Sequence, residues 1–104
     1  MKIFNKIKKQ INNNPIILYM KGNPIYPQCG FSDKAVKIIS FYKIKFTYVD
    51  VLKYPDIRKH LPKYANWPTF PQLWVNKELI GGYDILYMLH NNNKLKNILN
   101  FKKK

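Results

Sequence analysis

The chain has 104 residues, 46% of them hydrophobic, and a formal net charge of +14. That length fits one domain burying roughly 60–68% of its unfolded surface, with no need of disulfide or metal staples. The hydrophobic content excludes global disorder, and a single cysteine, Cys29, excludes both an internal disulfide and a protein-only zinc site.

Ile3, Ile7 and Ile11 recur at helical spacing beside Phe4, which predicts an amphipathic helix over 3–13 that Pro15 stops. Ile16-Ile17-Leu18-Tyr19-Met20 is a short apolar run suited to a buried strand. Gly22, Pro24 and Pro27 then hold a loop open. Ala35, Val36, Ile38, Ile39 and Tyr42 predict a helix of about three turns that begins at Cys29. Phe46 to Asp50 is a second strand. Pro55 opens a short helix whose buried stripe is Ile57 and Leu61. Asn66 to Pro71 is a loop with two prolines. Gln72-Leu73-Trp74-Val75 and Glu78-Leu79-Ile80 read as a hairpin across Asn76-Lys77, where Asn tolerates positive φ. After Gly81-Gly82, Ile85, Leu86 and Leu89 support a helix, and Leu95, Ile98 and Leu99 a last one. The order α-β-α-β-α-β-β-α-α gives an α/β fold in one domain, 1–104, with a core over 3–99 and a basic tail over 100–104. The first crossover fits a right-handed βαβ unit and the hairpin an antiparallel edge.

The charge invites a nucleic-acid or membrane-surface reading. Its composition argues against one. Arg58 is the single arginine among 19 basic residues, and the lysines are scattered along the chain. Readers of bases and phosphates lean on the arginine fork. Asn runs at 12–14 and 91–93 accompany the lysines, as compositional drift toward Lys, Asn and Ile would produce. Nucleic-acid binding is therefore not expected as the main role, and Lys102-Lys103-Lys104 reads as a solvated tail. The N-terminal segment has no long apolar stretch of the kind a secretory signal carries. No apolar run approaches the roughly 18 residues of a membrane helix. A reducing, cytoplasmic setting is the expectation.

Cys29 opens the tetrapeptide Cys29-Gly30-Phe31-Ser32 at a predicted helix start. Backbone N–H groups and the positive end of the helix dipole stabilise a thiolate there. Gly30 allows close approach of a partner, and Lys21 and Lys34 add positive charge nearby in sequence. The bland alternative is a small buried hydrophobe. If the thiol works, its partner must come from outside. Ser32 is a poor leaving group and cannot resolve a mixed disulfide. A [2Fe–2S] centre commonly takes four thiolates, so two chains leave two places for an external thiol. Both routes point to glutathione.

The blocks Met20-Lys21-Gly22, Pro27-Gln28-Cys29-Gly30-Phe31-Ser32, Trp67-Pro68-Thr69-Phe70-Pro71-Gln72-Leu73 and Gly81-Gly82-Tyr83-Asp84 stand in order at fixed separations. Over about Ile3 to Leu99 the chain resembles the monothiol glutaredoxins with a Cys-Gly-Phe-Ser site, as found in bacteria. The resemblance implies a thioredoxin fold, a four-stranded mixed sheet flanked by helices, with Pro71 in cis after Phe70. It implies glutathione held by Lys21 and Arg58 at its glycyl carboxylate, by the Phe70 backbone at its cysteinyl part, and by Tyr83 and Asp84 at its γ-glutamyl end. A sole arginine suits bidentate carboxylate binding, where lysine substitutes poorly. Asp84 also reads as a plain helix cap.

Cys29 would be both the catalytic thiol and the metal ligand of a labile [2Fe–2S] cluster shared by a homodimer. The implied partners are a BolA-like protein and apo iron–sulfur proteins that receive the cluster. The alternative is a glutathione-dependent thiol-disulfide oxidoreductase, a reaction at which members with this site are generally weak. Tyr83 departs from the family, where a cysteine is often found. His60 and His90 match no ligand position and read as surface or helix-end residues. Trp67 and Trp74 read as packing residues.

Overall fold

The computed structural model describes residues 1–100, so the tail expected at Lys102-Lys103-Lys104 lies outside the described residues. In chain order the elements are α1 (Lys2–Asn13), β1 (Ile16–Met20), α2 (Gly30–Phe41), β2 (Thr47–Asp50), α3 (Pro55–Ala65), β3 (Gln72–Val75), β4 (Glu78–Gly81), α4 (Tyr83–Asn91) and α5 (Leu95–Leu99). The predicted order holds throughout. The second strand starts one residue later than expected, at Thr47.

The sheet runs β2-β1-β3-β4. β1 pairs parallel with β2 through Ile17 opposite Thr47, and antiparallel with β3 through Leu18 opposite Leu73. β3 and β4 close the antiparallel hairpin over Asn76 and Lys77, both at positive φ. All five residues of β1 are buried, as a central strand covered on both faces requires. Alternation sends Ile16, Leu18 and Met20 to a core with α2, α4 and α5, and Ile17 and Tyr19 to one with α1 and α3. Ile7 and Ile11 carry α1 onto the second core, and Ala35, Val36 and Ile39 carry α2 onto the first.

The α3 helix is longer than the short one predicted. It runs 11 residues to Ala65 with Pro62 inside. The proline ring removes the N–H that would meet the Arg58 carbonyl, on the exposed side of the helix, where Arg58 lies. Asn66 ends the helix in the left-handed conformation. Trp74 is the packing residue predicted, buried with its Nε1–H donated to Gln72 Oε1 at 3.0 Å. His60 Nδ1–H donates to the Asp56 carbonyl, and His90 closes the end of α4 against Phe41 and Tyr42.

Candidate functional site

Two walls built from different parts of the chain meet at the C-terminal end of β1. The first holds the thiol. Cys29 is the N-cap of α2, extended at φ −155° and ψ 135°, and its side chain makes no capping bond. Its carbonyl accepts the Asp33 N–H at 2.9 Å. Burial pushes the thiol up. The N–H groups of Ser32 and Phe31, the Ser32 hydroxyl and the Lys21 charge outweigh that, so the Cys29 pKa lies below its ordinary value. Lys34 takes a different role from the one expected: its ammonium lies over the rings of Phe31 and Tyr83, 5.9 and 5.5 Å from their centroids.

The backbone of Lys21 clamps the motif from both sides. Its N–H donates to Ser32 Oγ at 3.1 Å, and its carbonyl accepts the Gln28 N–H at 2.9 Å. Ser32 is fully buried, so its hydroxyl is fixed in place. Gly22 follows at φ +86°, where an added Cβ would lie 2.6 Å from the Tyr26 carbonyl oxygen and 2.7 Å from the Gln28 nitrogen. Only glycine fits that crossing. Asn23 Oδ1 accepts the N–H groups of Ile25 and Tyr26, each at 2.9 Å, which orders the loop ahead of the thiol.

The second wall is a cleft of about 280 Å³. Thr69, Phe70 and Pro71 face Gly82, Tyr83 and Asp84 across it, and Phe31 and Trp67 complete it. The Phe70–Pro71 bond is cis, as expected. Buried Gln72 holds this loop through its Nε2, which donates to the carbonyls of Trp67 at 3.4 Å and Thr69 at 3.3 Å. Gly82 is the N-cap of α4 and no side chain caps the helix, so the capping role considered for Asp84 is not made. The first-turn N–H groups therefore have no side-chain partner among the described residues.

Trp67 packs beside Gly82, as a packing residue is expected to, and also forms part of the site. It is half-buried, lines the cleft, and its buried Nε1–H has no partner among the described residues. Phe31 and Tyr83 pack with centroids 5.8 Å apart, and Tyr87 extends the stack at 5.9 Å.

The predicted site residues thus fall into two groups. Phe70, Tyr83 and Asp84 line the cleft together. Cys29 borders a shallow depression with Pro27, Gln28, Gly30 and Asp33, and Lys21 acts on its thiol. Arg58 stands exposed in the first turn of α3 and lines neither hollow. Neither Lys21 nor Arg58 is engaged by a carboxylate among the described residues. The sequence reading missed Ser32 as a fixed hydroxyl, Gln72 as the loop's tie, and Trp67 as cleft wall. Gln72 and Trp67 lie inside the block from Trp67 to Leu73, and their roles depend on contacts that the block's spacing does not encode.

The sequence profile of the family described as Glutaredoxin matches residues 16–80. The chain is a glutaredoxin. It is similar to the glutaredoxin 4 of Buchnera aphidicola subsp. Acyrthosiphon pisum, 61% identical over 105 residues that cover 100% of this chain and 97% of the relative. The glutaredoxin 4 of Escherichia coli K12 is 54% identical over 94 residues, covering 90% of this chain and 82% of the relative. Among solved structures, the reduced apo GrxS14 of poplar superposes with a TM-score of 0.77 at 34% identity, over 89% of this chain and 85% of that one. A monomeric truncated 1-C-Grx1 of Trypanosoma brucei gives 0.86 at 29% identity, over 96% and 91%. This glutaredoxin therefore has the thioredoxin-fold architecture that the four blocks implied, with a mixed four-stranded sheet flanked by helices. No described helix is long and apolar enough to cross a membrane.

Proposed function

We propose that this glutaredoxin binds glutathione and, as a homodimer, carries a labile [2Fe–2S] cluster between proteins of the cytoplasm. The carrying observation is a lone thiol of lowered pKa at the N-cap of α2, in a chain with no second cysteine. Two Cys29 thiolates and two glutathione thiolates complete the four ligands of such a cluster. Half of those ligands are exchangeable small molecules, which suits transfer to apo iron–sulfur proteins or sharing with a BolA-like partner.

Lys21 and Arg58, unengaged by any carboxylate among the described residues, suit the glycyl carboxylate, and the Phe70 backbone the cysteinyl part. The uncapped first turn of α4 suits the γ-glutamyl carboxylate, received by the N–H groups of Tyr83 and Asp84, with the Asp84 side chain toward the ammonium. A buckwheat glutaredoxin of the same fold, 20% identical with a TM-score of 0.84, has been solved in complex with glutathione.

The lowered thiol pKa also favours a second reading, reduction of glutathionylated proteins. The Cys29 thiolate would attack the sulfur of bound glutathione and expel the protein thiolate. A second glutathione thiolate would then attack that sulfur, release oxidised glutathione and restore Cys29. Anaerobic reconstitution with iron, sulfide and glutathione separates the two. The carrier shows visible charge-transfer absorption and dimeric elution, both lost on Cys29→Ser or without glutathione. A colourless monomer with rapid disulfide turnover overturns the carrier reading.

A further inference from the structure

Asp50 ends β2, is only 7% exposed, and has no cationic partner among the described residues. A carboxylate buried without a cation needs strong hydrogen bonds to offset its lost hydration. Asp50 has two, and both go to one oxygen. Its Oδ1 accepts the Gly22 N–H at 2.9 Å and the Leu52 N–H at 2.9 Å. Neither donor belongs to a helix or strand; they lie on the two segments that leave neighbouring parallel strands. The strands themselves are in register at that level, with Met20 opposite Asp50 and the Val51 N–H on the Met20 carbonyl at 2.9 Å.

What those segments carry gives the arrangement its meaning. Gly22 follows Lys21 directly, and Leu52 leads through the turn that the Lys53 N–H closes on the Asp50 carbonyl at 3.0 Å. That turn delivers the first residues of α3, where the Arg58 N–H bonds the Tyr54 carbonyl at 3.1 Å. The two cations proposed to receive one ligand carboxylate thus stand on separate segments, and Asp50 Oδ1 is the side-chain atom that ties the two segments beyond the last strand pairing. We propose that Asp50 is a positioning residue for glutathione, fixing the spacing between Lys21 and Arg58 by tying the Gly22 and Leu52 backbones to a single oxygen. This rests on the glutathione reading above. A fixed spacing matters because a two-point grip on a carboxylate is lost when either point drifts by about an ångström.

The test is calorimetric titration with glutathione, paired with hydrogen exchange at the Gly22 and Leu52 amides. Asp50→Ala is expected to weaken glutathione about tenfold, the scale of one charge-assisted hydrogen bond. Asp50→Asn keeps an accepting oxygen in place and is expected to remain within about threefold of wild type. In a Lys21→Ala, Arg58→Ala background, adding Asp50→Ala is expected to change affinity less than about twofold, because the groups it positions are gone. If Asp50→Ala does not fold, Asp50→Glu, which displaces the oxygen by one methylene, carries the same expectation. A folded Asp50→Ala protein with wild-type affinity, or an undiminished loss in the doubly substituted background, overturns the proposal. Hydrogen exchange reads the tie without glutathione: both amides should be protected in wild type and Asp50→Asn, and open in Asp50→Ala. Unprotected wild-type amides overturn the tie itself. A wild-type protein that keeps the protection but binds no glutathione overturns the glutathione reading and, with it, Asp50's role in binding.

Discussion

Along the wall that carries the thiol, polar groups find partners inside the protein: Lys21 with Ser32 and Gln28, Gly22 with Asp50, Asn23 with Ile25 and Tyr26. Along the cleft wall Gln72 ties the Trp67 and Thr69 carbonyls, but donors stay open among the described residues: the first turn of α4 has no side-chain cap and the buried Trp67 Nε1–H has no partner. The difference separates two tasks. A thiolate works when its donors are preorganised around it, and any slack there would raise its pKa. A ligand wall works when its donors are still free for the ligand. Rigidity sits on one side and unmet hydrogen-bonding capacity on the other.

The sharpest way to break that division is to strike the one residue that holds the thiol wall's crossing. Gly22→Ala places a Cβ 2.6 Å from a backbone oxygen at φ +86°, so backbone on both sides must move. We expect a loss of about 3 kcal/mol in urea denaturation, together with slower alkylation of Cys29 at neutral pH. The matching change across the cleft is milder. A Cβ at Gly82 would sit 3.1 Å from the Pro71 carbonyl oxygen, with φ at an ordinary −96°. Gly82→Ala should cost about 1 kcal/mol of stability while weakening glutathione about fivefold in calorimetry, a split opposite in emphasis to that at Gly22. Equal damage to fold and ligand affinity at both glycines would erase the distinction between the walls.

The thiol itself gives a finer measure. Its folded-state pKa lies below the unfolded one, so the thiolate's contribution to stability is complete above the unfolded value of about 8.5 and is lost as pH falls through the folded pKa. The rate of iodoacetamide alkylation against pH should show a lower midpoint in the native protein than in the urea-unfolded chain. Ser32→Ala removes the fixed hydroxyl and should move that midpoint upward. A midpoint that stays put would mean that the backbone N–H groups of the α2 start are sufficient alone.

Much of this was legible in the residues. Apolar periodicity and turn residues located all nine elements of the described residues, because stripes and alternation report burial directly. The lone thiol at a helix start was legible too, since its chemistry depends on position in the chain. What escaped were contacts between segments distant in sequence. Asp50 reads as one more strand residue until the fold brings Gly22, 28 residues earlier, to its oxygen. Lys34 looked like a charge near the thiol because sequence proximity ignores the helix turning it toward Phe31 and Tyr83. The length of α3 was missed because its buried stripe, Ile57 and Leu61, marks only two turns, while the helix runs on through Pro62 to Ala65. Trp67 and Trp74 both read as packing residues, yet the Trp74 N–H is paired and that of Trp67 has no partner among the described residues.

Trp67 offers the smallest effect and the closest look at the cleft wall. A buried indole N–H without a partner costs about 1–3 kcal/mol against a paired one, so removing the donor relieves a penalty. Trp67→Phe also removes ring volume that packs near Gly82, where an added Cβ would lie 3.5 Å from Nε1. The two terms oppose each other, and the expected change in urea denaturation is within about 1 kcal/mol of zero. The same change at Trp74 removes a donor that is paired with the buried oxygen of Gln72, leaves that oxygen unsatisfied, and should cost about 2 kcal/mol. A loss at Trp67 as large as at Trp74 would show its indole N–H paired in solution, and the cleft wall would then be as closed as the wall that holds the thiol.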